Sequence, residues 1–194
     1  MASPVNQLTF FPARPVKSLR SRLFLFAAFV LVFPFFLRRR PRVEQRITIL
    51  APPSSIFPFL NDLQNWPLWT VWDRHGEVDY EYGPIVAGEG AEQRWATDNM
   101  SGVMRILKSD LDERVDYELS MGEGAYQIVG RIELHPDGAC TRLVWKCAWD
   151  LAKNPYRRYF DLFMRWMMRR DYAAGLENLK TLVESSSEPS EVAA

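Results

Sequence analysis

Few side chains in this 194-residue sequence are equipped for covalent or acid–base chemistry. It has two histidines, His75 and His135. His75 sits in the loop-like run Asp73-Arg74-His75-Gly76, from which an imidazole can face a cavity mouth, whereas His135 precedes the turn signal Pro136-Asp137-Gly138 and reads as solvated. Asp98, Arg94 and Arg105 fall on alternating segments in which one face points inward. The reading for all three is the solvated face, and an acid–base mechanism would need one of them buried. No nucleophile–base pair, phosphate-cradling glycine loop or Cys/His metal spacing is legible, so catalytic residues stay unassigned and no cofactor or metal is expected. Cys140 and Cys147, on one continuous strand, stand roughly 23 Å apart at about 3.3 Å per residue, too far for a disulfide, which needs α-carbons within about 7 Å.

Charge is distributed unevenly. The chain is neutral, with 24 basic and 24 acidic residues, yet nine of the basic ones and a single acid, Glu44, precede residue 47. The remainder is left with 15 basic and 23 acidic residues. An acidic domain is a poor match to nucleic acid, because phosphate contacts rely on Lys and Arg releasing counterions. Nucleic acid is therefore excluded as a partner, while the basic N-terminal segment suits anionic lipid head groups.

Residues 1–22 form a basic tail, 23–37 an uncharged run dominated by Leu, Phe and Val, and 38–42 a second basic stretch. Fifteen residues span roughly 22 Å as a helix against a hydrocarbon core of roughly 30 Å, a deficit that snorkelling arginines and local thinning can cover. No small-x-small cleavage signal follows, so the segment reads as a single-pass transmembrane anchor rather than a cleaved leader. Basic residues flank it equally, so the side of the membrane the domain faces is left open. Residues 185–194 are small and polar and read as a disordered tail.

Between these lies one domain, 43–184. A strand over 43–50 ends at Pro52-Pro53; Ser54 reads as the cap of a short helix over 55–62, and a second helical turn surrounds Trp66-Pro67. Six further strands are expected over 78–82, 92–98, 102–109, 114–121, 125–135 and 141–151, joined by short turns that argue for an antiparallel meander. Asn154-Pro155 then opens a long helix to about residue 184, with Phe160, Phe163, Met164, Met167, Met168, Leu176, Leu179, Leu182 and Val183 on its apolar side. Gly175 inside it costs about 1 kcal/mol against Ala, and close packing on the sheet is the expected reason for it.

The opening Ala51-Pro-Pro-Ser-Ser-Ile-Phe-Pro-Phe-Leu-Asn-Asp-Leu-Gln-Asn-Trp-Pro-Leu-Trp69 and the closing Gly175-Leu-Glu-Asn-Leu-Lys180 resemble the SRPBCC, or START-like, superfamily of polyketide cyclase/dehydrase and lipid transport type. That resemblance implies an α+β helix-grip fold, a curved antiparallel sheet wrapped around the long C-terminal helix, here with an N-terminal transmembrane helix added. It further implies a deep apolar cavity for lipids, sterols, polyketides or other hydrophobic molecules, without fixing any chemistry. Trp69, Trp72, Trp95, Tyr117, Tyr126, Met164, Met167 and Met168 are the candidate lining residues, since aromatics offer area with a polar tip and methionines adapt to irregular ligands. Each is also an ordinary core residue by type, and Trp69 with Trp66 around Pro67 reads first as a structural plug. Three functions stay open: a membrane-tethered binding or carrier domain for a hydrophobic small molecule or lipid, a cyclase/dehydratase using Asp98, Arg105 or Tyr117, and a module that binds a protein partner. The run Met164–Arg170 suggests a membrane-touching stripe, but core on one side and water on the other is the simpler expectation.

Overall fold

The structure, a computed structural model, describes residues 17–36, 41–75, 77–122, 124, 126–149 and 157–187. Residues 1–16 and 37–40, the Asn154-Pro155 helix start and the tail beyond Ser187 lie outside the described residues, as does the His75 side chain. Two compact units are present, 1–37 and 38–194.

The first unit holds α1 (Lys17–Val32), followed by a 3₁₀ turn, Phe33–Phe36. From Leu23 on, apolar residues surround α1 rather than lining one side, and Leu23, Phe24, Leu25, Phe26 and Phe29 are all more than half exposed. The transmembrane helix expected over 23–37 is not found as such. At 16 residues α1 is about 24 Å long, and among the described residues no helix is long and apolar enough to cross a membrane.

In the second unit, β1 (Arg42–Ile49) leads to α2 (Pro53–Asn61) and α3 (Trp66–Trp69), then β2 (Asp79–Tyr82), β3 (Glu92–Ala96), β4 (Ser101–Asp110), β5 (Arg114–Met121), β6 (Tyr126–Asp137) and β7 (Cys140–Trp149). The chain ends in α4 (Arg157–Ser187). The seven strands form one antiparallel sheet in the order β1-β7-β6-β5-β4-β3-β2, because each strand from β2 on pairs with the next, through short turns except for the longer 83–91 loop, and β1 returns beside β7. The helix cap expected at Ser54 is instead Pro52, with no side-chain bond and Pro53 at the helix start, where its missing N–H goes unneeded.

Alternation assigns the two faces of the sheet. Val115, Tyr117 and Leu119 on β5, Ile128, Ile132 and Leu134 on β6 and Leu143, Trp145 and Cys147 on β7 face inward and are buried. Their outward neighbours form a ladder of ion pairs: Glu92 with Arg94 (3.1 Å) and Arg105 (2.6 Å), Asp116 with Arg131 (2.7 Å), Glu133 with Lys146 (2.6 Å). Exposed pairs of this kind contribute less than about 1 kcal/mol each, so the inner face does most of the stabilising.

α4 is pinned to β1 and α3. Gln45 Nε2 donates to the Arg169 carbonyl (3.2 Å), the Leu50 N–H to Glu184 (2.8 Å) and Asn178 Nδ2 to the Trp69 carbonyl (3.2 Å). Gly175 is buried here, but not because contact is too close for a side chain. A β-carbon at this position would meet the Trp69 carbonyl at 3.5 Å and the α-carbon of Thr70 at 3.7 Å, ordinary contacts from the α3 turn rather than the sheet backbone. Phe163, expected on the apolar side of α4, is 52% exposed.

Candidate ligand-binding site

The half of the inner face nearest β1 is filled by aromatic rings. Trp145 stacks on Tyr172 with centroids 3.7 Å apart and meets Trp69 edge-on at 5.1 Å; Trp66 lies 5.1 Å from Trp69 and 5.2 Å from Tyr117. Every polar atom of the cluster has a partner. Trp66 Nε1 donates to the Leu60 carbonyl (3.0 Å), Trp69 Nε1 to the Phe59 carbonyl (3.1 Å) and Trp145 Nε1 to the Tyr117 hydroxyl (2.7 Å). The Tyr117 and Tyr172 hydroxyls are 3.0 Å apart, and either can donate. Burial raises the pKa of both phenols, and it pushes the neighbouring Cys147 thiol from 9.0 up to about 11. A neutral, fully paired cluster of this kind fixes the fold around it.

Toward β2 the inner face is mixed: Gln93, Met104 and Ile106 are fully buried, and other large side chains are not. Trp72, Tyr82, Trp95, Met121 and Met164 pack against the core yet remain partly accessible. Register places five residues of β2–β4 on the inner face: Tyr80 pairs with Trp95, Tyr82 with Gln93, and Trp95 with Gly102. The Trp95 indole lies over Gly102, whose missing side chain leaves it room: a β-carbon there would fall 2.6 Å from the ring. Tyr126 stands opposite Met121 at the same end of the sheet. α4 packs on β1, α2 and α3 rather than on β2–β4, so this end of the grip is open.

Polar groups are few here and well placed. Tyr80 donates to Asp73 Oδ1 at 2.6 Å, and the two tyrosine rings of β2 stack with centroids 6.5 Å apart. Gln93, 2% exposed, is a buried amide among apolar neighbours. Burial raises the pKa of Tyr80, assisted by the bond to Asp73, and burial likewise raises that of Tyr82, so both remain hydroxyl donors at neutral pH. Aromatic and thioether walls with a small set of hydroxyl, amide and carboxylate groups can enclose an apolar molecule and orient its polar end.

The eight lining residues expected from sequence divide between the two halves. Trp69 and Tyr117 belong to the sealed cluster, with Trp72 touching its edge at 5.9 Å from Trp66. Trp95 and Tyr126 stand at the open end of the sheet, and Met164, Met167 and Met168 follow one another along α4, with Met168 buried and the other two partly so. Tyr80, Tyr82, Gln93 and Asp73 were not legible as site residues. β2 reads Asp-Tyr-Glu-Tyr, a short polar strand, and only its register with β3 shows which side the tyrosines take.

The residues that acid–base chemistry would have used lie elsewhere. Asp98 is exposed beyond β3, Arg94 and Arg105 are on the outer face bonded to Glu92, and Tyr117 is committed to Trp145 and Tyr172. Among the described residues no group of three or more His, Cys, Asp or Glu is placed to hold a metal ion. Two open depressions, of about 610 and 460 Å³, are bounded by residues of both faces: the first by Tyr80, Trp95 and Gly102 with Arg94, Val103 and Ser120, the second by Tyr117 and Cys147 with Asp116, Arg131 and Lys146. Both are bordered on one side by the ion-pair ladder.

The fold has known counterparts. The Thermus thermophilus protein TTHA0849 is 19% identical with a TM-score of 0.59, over 76% of this chain and 100% of that one. The KanY protein, solved in solution, is 18% identical with a TM-score of 0.58, over 75% and 98%. The Mesorhizobium loti protein MLL2253 is 13% identical with a TM-score of 0.57, over 77% and 100%. No curated protein matches. The family model described as polyketide cyclase / dehydrase and lipid transport matches residues 40–184, the whole sheet and nearly all of α4. On that match, and with the helix-grip sheet and its terminal helix in view, this chain belongs to the polyketide cyclase/dehydrase and lipid transport family.

Proposed function

We propose that this chain binds or carries a hydrophobic small molecule, a lipid or polyketide-like compound, between the β2–β5 end of the inner face and the first half of α4. The observation behind this reading is the contrast in exposure along one face. Its aromatic cluster near β1 is sealed, while Trp72, Tyr82, Trp95, Met121 and Met164 remain accessible beside it. Large apolar side chains left partly wet on an inward face are surface an apolar ligand can cover. Gln93, Tyr80 and Asp73 then supply the hydrogen bonds for its polar end.

A titration of the full chain with the fluorescent apolar anion anilinonaphthalene sulfonate tests this. Trp95→Ala is expected to weaken binding roughly tenfold, equivalent to about 1.4 kcal/mol. Equal affinity in the variant would remove the site from this end of the sheet.

A cyclase/dehydratase in the same cavity is the second reading, favoured by one observation, the Tyr80–Asp73 pair at 2.6 Å. That is the one hydroxyl–carboxylate pair described at the open end with a geometry for proton transfer. Tyr80→Phe separates the readings: a carrier keeps its ligand affinity within a few-fold, whereas an enzyme loses turnover with affinity retained.

Attachment to a membrane through residues 23–37 completes the proposal. The exposed Leu and Phe residues all around α1 support it, since a helix apolar on every side has no stable place in water. The protein is expected to resist extraction from membranes by high salt and by alkaline carbonate, and to be released by detergent. Release by salt alone would contradict it.

A further inference from the structure

The first half of α4 presents a surface that the ligand reading does not use. Met164, Met168 and Tyr172 turn toward the sheet at helical spacing. On the opposite side stand Leu162, Phe163 and Trp166, which are 43%, 52% and 59% exposed. Phe163 and Trp166 lie against each other with centroids 6.1 Å apart, and the Arg170 guanidinium is 5.9 Å from the Trp166 ring. Arg169 is exposed beside them. Between residues 157 and 171 the sequence has five arginines (157, 158, 165, 169 and 170) against two aspartates, within a domain that otherwise carries an excess of acid.

Exposed Trp, Phe and Leu bordered by arginines match the boundary between acyl chains and anionic head groups, where indole and phenyl rings enter the apolar side and guanidinium groups meet phosphate. A second copy of the chain docking through the same face would set arginine against arginine, which disfavours a symmetric dimer. We propose that this face of α4 docks on the surface of an anionic bilayer, as a contact separate from α1. It brings the helix that forms one wall of the binding site to the lipid surface, yet it does not depend on what that site holds.

The test reads Trp166 as the difference between the full chain and Trp166→Phe, which retains the six other tryptophans, none of them in residues 17–36. The full chain is mixed with vesicles of phosphatidylcholine, with or without phosphatidylserine, whose acyl chains are brominated. The expected result is quenching in phosphatidylserine vesicles that disappears in Trp166→Phe and is largely lost in the triple variant Arg165→Gln, Arg169→Gln, Arg170→Gln. Phe163→Ser, a milder change at an exposed position, is expected to reduce the quenching while leaving the thermal midpoint unchanged. Equal quenching in Trp166→Phe, or no difference between the two vesicle types, would overturn the proposal. So would a concentration-dependent change in Trp166 emission without vesicles, since another copy would then be covering the face. None of these readouts depends on ligand occupancy, so a failure here is distinct from a failure of the binding proposal.

Discussion

Tyr117 and Trp95 each lie over a glycine on the neighbouring strand, and the two sites should respond differently to the same substitution. A β-carbon on Gly130 would fall 2.1 Å from Tyr117 Cζ, against a ring that is fully buried and bonded through its hydroxyl. Gly130→Ala is therefore expected to destabilise by about 1–3 kcal/mol in denaturant unfolding, as overpacked cores do. Gly102→Ala brings a β-carbon to 2.6 Å from the Trp95 indole, but that indole is partly accessible and can swing outward. Its expected effect is a small change in stability and a clear loss of ligand affinity, measured by the same probe titration. Cys147 gives a pH signature. Its thiol holds its proton to about 11 in the folded protein but sheds it near 9.0 when unfolded. The folded state thus binds more protons in that window, and stability is full below pH 9 and falls between pH 9 and 11. Chemical denaturation across that range checks it, and Cys147→Ala should flatten the slope.

At the scale of elements, the strands were legible and the helix faces only in part. β5 matches the expected 114–121 at both ends because Val115, Tyr117 and Leu119 alternate strictly with polar residues. Other strand ends moved by a few residues where turns such as Thr97–Met100 close early through backbone bonding. The inner side of α4 followed from spacing except at Phe163, which the same spacing put on the apolar side and the structure leaves half exposed. Of the residues at the candidate site, Trp72, Trp95 and Met164 were singled out from sequence by type, whereas Tyr80 and Gln93 join them only through strand register. Gly175 is the element-scale test. Because a β-carbon meets nothing nearer than 3.5 Å, Gly175→Ala should leave stability unchanged or raise it by up to about 1 kcal/mol in thermal or denaturant unfolding. A loss of stability would mean that the packing of α4 on α3 tolerates less than these distances indicate.

For the whole molecule, the proposed membrane setting rests on two features of the chain. A helix that is apolar all round from Leu23 on and a basic, aromatic face on α4 both suit a lipid surface, while the family fold supplies an inward site for a hydrophobic molecule. The charge asymmetry between the first 46 residues and the rest was plain from sequence; the division of the interior into a sealed and an open half was not, because it depends on where α4 rests. Native mass spectrometry of the full chain released gently from detergent, followed by extraction of anything bound, tests the central claim most directly. The account predicts a hydrophobic species retained at near-unit stoichiometry and displaced by anilinonaphthalene sulfonate, with retention reduced in Trp95→Ala. A chain that emerges empty and takes up no apolar probe would contradict it.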